Sequence, residues 1–263
     1  MPGGPATTEP STIDLNCDMG ESFGRYRLGD DAAMLEVVTS ANIACGLHAG
    51  DPLVMQCTVE MAVERNVAIG AHPGYPDLQG FGRRKMAIDA DELEATVLYQ
   101  LGALAGFVHA AGGTLAHIKP HGALYNVAAR DATTAAAVVR AVVRFDNGLT
   151  VVTLPGSMLA DAAAGEGLSI AAEGFADRAY QRDGSLVPRS LPGAVIHDPA
   201  RAAERAIRMV TQSTVEAIDG TAVPLEIATL CVHGDTSGAP EIARSLRDAL
   251  ERAGVLVQAA WSV

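Results

Sequence analysis

The sequence predicts an α/β protein built as an irregular (β/α) barrel of seven to eight parallel strands. Three observations lead there. Strand-type and helix-type patterns alternate along the chain, which implies parallel pairing through crossover helices. Seven or eight such units within 263 residues match a closed barrel, with a doubly wound open sheet as the main competitor. No composition shift, low-complexity run or repeat beyond this alternation marks a second domain, so residues 12–263 read as one barrel behind a disordered leader at 1–11 rich in Pro, Gly and Thr.

The first strand, 13–18, alternates Ile13, Leu15 and Cys17 with Asp14, Asn16 and Asp18, so one face is apolar and the other polar. A second strand at 41–45 runs into a helix over 53–65, and Asp51 before Pro52 is both a good N-cap and a candidate functional carboxylate. Strand 67–71 precedes a helix at 91–111, strand 114–119 stops at Pro120, and a helix follows over 132–144. Strands at 149–154 and 168–173 lead to an irregular stretch, 174–199, whose length and paired arginines suggest a lid. A helix at 200–218, a strand at 227–233, a helix at 240–252 and an eighth strand candidate at 255–260 complete the pattern.

Composition narrows the function. With 49% apolar and 19% charged residues the chain has ample material for a core. The formal charge, 19 − 31 = −12, opposes binding to nucleic acid or anionic membranes, and no apolar run reaches the ~20 residues of a bilayer span. The N-terminus lacks the apolar region of a signal peptide, and four dispersed cysteines without CxxC spacing read as reduced thiols. A cytoplasmic enzyme is expected.

Barrel enzymes place their chemistry at the carboxyl ends of the strands. Polar residues collect there: Asp14, Asn16 and Asp18 on the first strand, His48 after the second, and His72 after the third. The fourth strand delivers His117, Lys119 and His121 on one parity, and the seventh delivers His233 and Asp235. A single histidine at a strand end is more often a hydrogen-bonded structural residue. Five of the seven in one lumen are harder to explain by stability alone, because buried ionisable groups cost several kcal/mol unless paired or metal-bound. His109 and His197 fall outside this pattern. There is no GxxxxGK[ST] phosphate loop, and GESFG at 20–24 is too short to mean phosphate binding.

Six blocks at these residues, IDLNCDMGESFG (13–24), ANIACGLHAGDP (41–52), AIGAHPGYPDLQGFGRR (68–84), HIKPHGALYN (117–126), EGFADRAY with GSLVPR (173–189) and CVHGD (231–235), resemble the LamB/YcsF family. The family resemblance implies a barrel similar to metal-dependent polysaccharide deacetylases. It also implies ATP-dependent opening of 5-oxo-L-proline (pyroglutamate) to L-glutamate, together with two further 5-oxoprolinase subunits, B and C. ATP is then expected to bind with or on those partners. For the site, the resemblance implies Asp18 or Asp14 as general base, Lys119 against developing negative charge, and His117 either supporting His121 or replacing it. Asn16, Glu21, His48, Arg178, Arg189, His233 and Asp235 are expected at the substrate, the two arginines on its carboxylate. The more distant deacetylase likeness implies a divalent metal on Asp18, His72 and His121. The alternatives are a stand-alone metal hydrolase and a non-catalytic substrate-binding subunit.

Overall fold

The computed structural model describes residues 11–188, 191–234 and 238–261. The leader expected at 1–11 falls, up to residue 10, outside the described residues. Seven parallel strands close a ring: β1 (Thr12–Met19), β2 (Ser40–Ala44), β3 (Ala68–His72), β4 (Leu115–Ile118), β5 (Thr150–Thr153), β6 (Ile170–Phe175) and β9 (Thr229–Val232), with β9 returning to pair with β1. The eighth expected strand is the two-residue β10 (Leu256–Val257), which pairs with Thr12 and Ile13 outside that ring.

The period-two pattern of β1 explains the layering. Ile13, Leu15, Cys17 and Met19 are buried in the apolar layer beneath the helices, while Asp14, Asn16 and Asp18 turn into the lumen. Around the barrel run α2 (Pro52–Glu64), α3 (Ala90–Ala110), α5 (Ala132–Phe145), α7 (Pro199–Gln212) and α8 (Ala239–Arg252), with shorter helices α1 (Asp31–Met34), α4 (Gly122–Ala128) and α6 (Met158–Gly165) between strands. α3 is tied to α5 by Glu94, which takes Arg140 Nε and Arg144 Nη1 at 2.6 Å each. No helix among the described residues is long and apolar enough to cross a membrane.

One expectation is corrected. The helix expected over 200–218 ends at Gln212, where Ser213 turns left-handed (φ 50°), and β7 (Thr214–Glu216) then pairs antiparallel with β8 (Ala222–Pro224). Apolar residues at Ile207, Val210 and Val215 keep a helical spacing through the break, whereas the β-branched Thr214 and Val215 favour a strand once the helix stops.

Asp51 caps α2, accepting from Leu53 N at 2.9 Å and Val54 N at 3.2 Å, and also takes Gly24 N at 2.6 Å. Asp51→Ala is expected to cost about 1 kcal/mol through the lost cap. In a scanning calorimeter this should lower the melting temperature by roughly 2–4 °C for a domain of this size.

Candidate active site at the carboxyl mouth of the barrel

The floor of the lumen is a closed polar knot. Asp14 accepts from Thr39 Oγ1 and Ser40 Oγ at 2.6 Å each and from Thr229 Oγ1, and burial raises its carboxyl pKa. Asn16 donates to Thr229 Oγ1 at 2.7 Å and accepts from Asn42 Nδ2 at 2.7 Å. His117 Nε2 meets Asn42 Oδ1 at 2.8 Å, which can only accept, so this nitrogen carries the proton. Burial, and then the Lys119 charge, push His117 down to about 3. Gly70 on β3 makes room for this ring, since a Cβ there would overlap its Nε2.

Above the floor, the Lys119 ammonium is 2.7 Å from Glu173 Oε1, 2.9 Å from Asp18 Oδ1 and 3.1 Å from Asn16 Oδ1, and Cys231 Sγ lies at 3.3 Å. Its protons are directed at Asp18 Oδ1, Asn16 Oδ1 and Cys231 Sγ, while Glu173 meets its charge as an ion pair. Burial alone would depress the lysine, but Asp18, Cys231 and Glu173 outweigh it and hold the ammonium well above its usual range. Burial pushes Asp18 upward in the same way, yet His72 and Lys119 hold its carboxyl well below the usual carboxylate range.

At the mouth, four side chains meet. His72 Nδ1 lies 2.7 Å from the Lys119 carbonyl and His121 Nε2 lies 2.8 Å from the Phe81 carbonyl. Carbonyls only accept, so those nitrogens carry the protons. In the neutral rings the remaining nitrogens, His72 Nε2 and His121 Nδ1, face each other 3.0 Å apart with lone pairs; Asp18 Oδ2 stands 3.2 Å from the first, where a protonated His72 would donate to it. His48 stacks on His121 with centroids 3.8 Å apart, and neither of its buried nitrogens has a hydrogen-bond partner among the described residues. Glu21 Oε1 is 3.6 Å from His121 Nδ1 and 3.9 Å from His48 Nε2. Glu21, His48, His72 and His121 therefore offer four ligand atoms within 4.8 Å of one another. Burial pushes His121 down to about 3 and His48 well below its usual range, so both favour the neutral, ligating form.

The local backbone is shaped around these rings. Phe81 adopts φ 54°, rare for a side chain of its size, and its carbonyl is the one that fixes His121. A Cβ on Gly82 would sit 2.8 Å from both His121 and His48, and one on Gly74 would sit 2.7 Å from His48 Nδ1.

These groups open into a cavity of about 440 Å³, whose wall includes Asp18, Glu21, His72, Lys119, His121, Tyr125, Phe175, Arg83, Arg178 and His233. The stretch 174–199 supplies Leu186, Val187 and Pro188 to this wall. Its described residues are braced: Ala179 N donates to Ala194 O, Val187 N to Ala179 O, and Arg205 donates to the carbonyls of Ala176 and Arg178 as well as to that of Glu216. Arg178 lines the cavity while donating to Val187 O at 2.8 Å, and His233 pairs with Asp177 at 2.7 Å.

Of the residues expected from sequence, Asp18, Glu21, His72, Lys119, His121, Arg178 and His233 reach the cavity. His48 lies behind it against His121, and Asp14, Asn16 and His117 form the floor. It is His121, not His117, that stands in the histidine cluster. Arg189 and Asp235 lie outside the described residues. Sequence reasoning missed Glu173, Asn42 and Thr229, although each shares the lumen-facing parity of its strand, and it missed Tyr125, one turn after His121.

Residues 13–263 match the LamB/YcsF family. The chain belongs to that family. Within it, the chain is 55% identical over 246 residues to the 5-oxoprolinase A chain of Syntrophobacter fumaroxidans, covering 94% of this chain and 97% of that one. It is 54% identical over 245 residues to the protein of the same name from Pyrococcus furiosus, covering 93% and 96%. Among solved structures, the lactam utilization protein from Thermus thermophilus matches with a TM-score of 0.91 at 51% identity, covering 94% of this chain and 99% of that one.

Gly70→Ala would force the His117 ring off Asn42. Overpacking of this kind is expected to cost ~1–3 kcal/mol, measured by chemical denaturation. Turnover should fall with it, since Asn42 also holds Asp18 at 2.9 Å.

Proposed function

We propose that this chain carries the ring-opening site of an ATP-hydrolysing 5-oxoprolinase, acting with two partner subunits, B and C. One observation carries the reading. A preorganised Asp18–Lys119–Glu173 ion cluster and a histidine cluster face one 440 Å³ cavity, in a chain more than half identical to 5-oxoprolinase A chains along nearly their whole length.

The chemistry fits those groups. A five-membered lactam is a resonance-stabilised amide, and its carbonyl is a poor electrophile. Transfer of the γ-phosphoryl group of ATP to the lactam oxygen releases ADP and activates the ring carbon for attack by water. A first water attacks the ring carbon and loses a proton, and the C–N bond breaks as the ring nitrogen gains a proton, which leaves an acyl phosphate; a second water then displaces phosphate from that carbon and gives the carboxylate of glutamate. The Asp18–His72 pair on the cavity wall is suited to take the water's proton, and Lys119 keeps Asp18 an anion able to orient that water. Arg178 and Arg83 on the cavity wall place positive charge where the substrate carboxylate can rest, His233 lines the same cavity, and Arg189 and Asp235 are further candidates for substrate contact on sequence grounds alone. The absence of a phosphate loop from the sequence supports assigning phosphorylation to the partners. A cytoplasmic location agrees with four free cysteines.

We further propose a divalent metal on His72 and His121, with Asp18 beside them as the sequence suggests and with Glu21 and His48 added by the geometry. The residues fit such an ion: unprotonated imidazole nitrogens converge with no proton to share, and the paired carbonyls hold the rings in the ligating tautomer. Imidazoles with carboxylates suit Zn, Mn or Fe, and such an ion supplies a Lewis acid that polarises a substrate oxygen or acidifies a water.

Reconstitution tests the main reading. Glutamate release from 5-oxoproline and ATP should require this chain and both partners together. Full activity from the partners alone, or from this chain alone, would refute the division of labour, and ATP-free hydrolysis of an N-acyl substrate would favour the stand-alone hydrolase. In the assembled enzyme Asp18→Asn should lower turnover by about 10² or more, as expected for a positioned acid–base group.

Elemental analysis tests the metal. One equivalent of a first-row divalent ion is expected in the purified chain, falling by roughly tenfold or more in His121→Ala as is typical for loss of a ligand. Failure of Zn, Mn and Fe to bind in a titration would return the histidines to proton transfer.

A further inference from the structure

Tyr125 has no part in the roles assigned above, and Glu173 serves there only to balance Lys119, yet both are fixed beside the cavity. Glu173, on β6, is fully buried. One of its oxygens pairs with the Lys119 ammonium at 2.7 Å, and the other takes the Tyr125 phenol at 2.7 Å. A carboxylate only accepts, so the phenol proton must point at Glu173. Burial, and then the charge of Glu173, push the Tyr125 phenol well above its usual range, so the proton stays on the phenol oxygen. The ring is held in place as well: α4 begins directly after His121, and Tyr125 packs at 84° against Phe175 with centroids 6.4 Å apart. Tyr125, Lys119 and Phe175 all line the cavity.

A hydroxyl has one proton and two acceptor sites. With its proton committed to Glu173, Tyr125 Oη offers any ligand in the cavity only lone pairs. We infer that Tyr125 Oη accepts the ring N–H of the bound lactam, so that Tyr125 and Glu173 select a ring amide over a ring ester. This rests on the 5-oxoprolinase reading and names the group that reads the lactam nitrogen. The physical basis is the asymmetry of hydrogen-bond loss. A ring N–H satisfies the phenol oxygen, whereas the ring oxygen of a lactone would set lone pairs against lone pairs beside a buried phenol. A site built to bond an N–H discriminates strongly against an analogue that lacks it.

The test uses the chain assembled with its partner subunits, titrated in a calorimeter with 5-oxo-L-proline and with its lactone counterpart, 5-oxotetrahydrofuran-2-carboxylate. The wild type should prefer the lactam by about tenfold or more. Tyr125→Phe keeps the ring and its packing on Phe175, and should weaken lactam binding about tenfold while leaving lactone binding unchanged, so that the preference collapses towards one. An equal loss for both ligands would make Tyr125 a merely structural residue and overturn the inference, as would an unchanged preference. Equal binding of the two ligands by the wild type would overturn it without any variant. Binding of neither ligand by the wild type would refute the 5-oxoprolinase reading itself, and the inference would fall with it.

Discussion

The lumen is organised around one buried ammonium. Lys119 lies on the cavity wall with little exposure, so its charge must be met by the protein, and Asp18, Glu173 and Asn16 meet it with three oxygens. Each of those oxygens belongs to a side chain with a second task. Asp18 reaches His72, Glu173 receives the Tyr125 phenol, and Asn16 bonds Asn42 and Thr229, which in turn anchor His117 and Asp14. Removing the lysine would leave two carboxylates facing each other in a low-dielectric lumen, so its charge conditions the geometry of the whole site.

The mouth of the barrel depends on backbone rather than on charge. His72 and His121 are held by the carbonyls of Lys119 and Phe81, and these bonds decide which nitrogen of each ring is left unprotonated. Phe81 accepts a left-handed backbone to aim its carbonyl, and Gly74 and Gly82 leave the space in which His48 and His121 stack. The GYPDLQGFGRR segment is therefore a template for imidazole orientation: Gly74 and Gly82 are required by close approach to the histidine rings, and Gly80 by the Asp77 and Arg84 side chains.

The parity of β1 makes much of this legible in the sequence. Asp14, Asn16 and Asp18 share a face, and that alternation predicts a polar lumen and an apolar shell, as found. The histidines at strand ends are visible for the same reason. Glu173 and Asn42 are not, because each sits in a short apolar strand where one polar residue looks incidental until the ring closes and places it beside Lys119 or His117. Glu21 and His48 read as substrate contacts from their motifs. Their approach to His121 depends on how two loops fold over the barrel, which a local pattern does not encode. The break between α7 and β7 is hidden by apolar spacing that fits a helix and a strand equally well.

Charge balance ties the proposed chemistry together. Counted as ions, Asp18, Glu21 and Glu173 set three negative charges around the single ammonium of Lys119, while burial keeps His48, His117 and His121 neutral. That excess favours a divalent cation, whose two charges would bring −3 + 1 to zero among the lone pairs of the histidine cluster. The cationic side chains Arg83 and Arg178 stand on the same cavity wall, where they offer positive charge to an anionic substrate. A small ring carrying one carboxylate is the kind of ligand such a division of charge suits, since its charged end and its reacting amide need opposite surroundings.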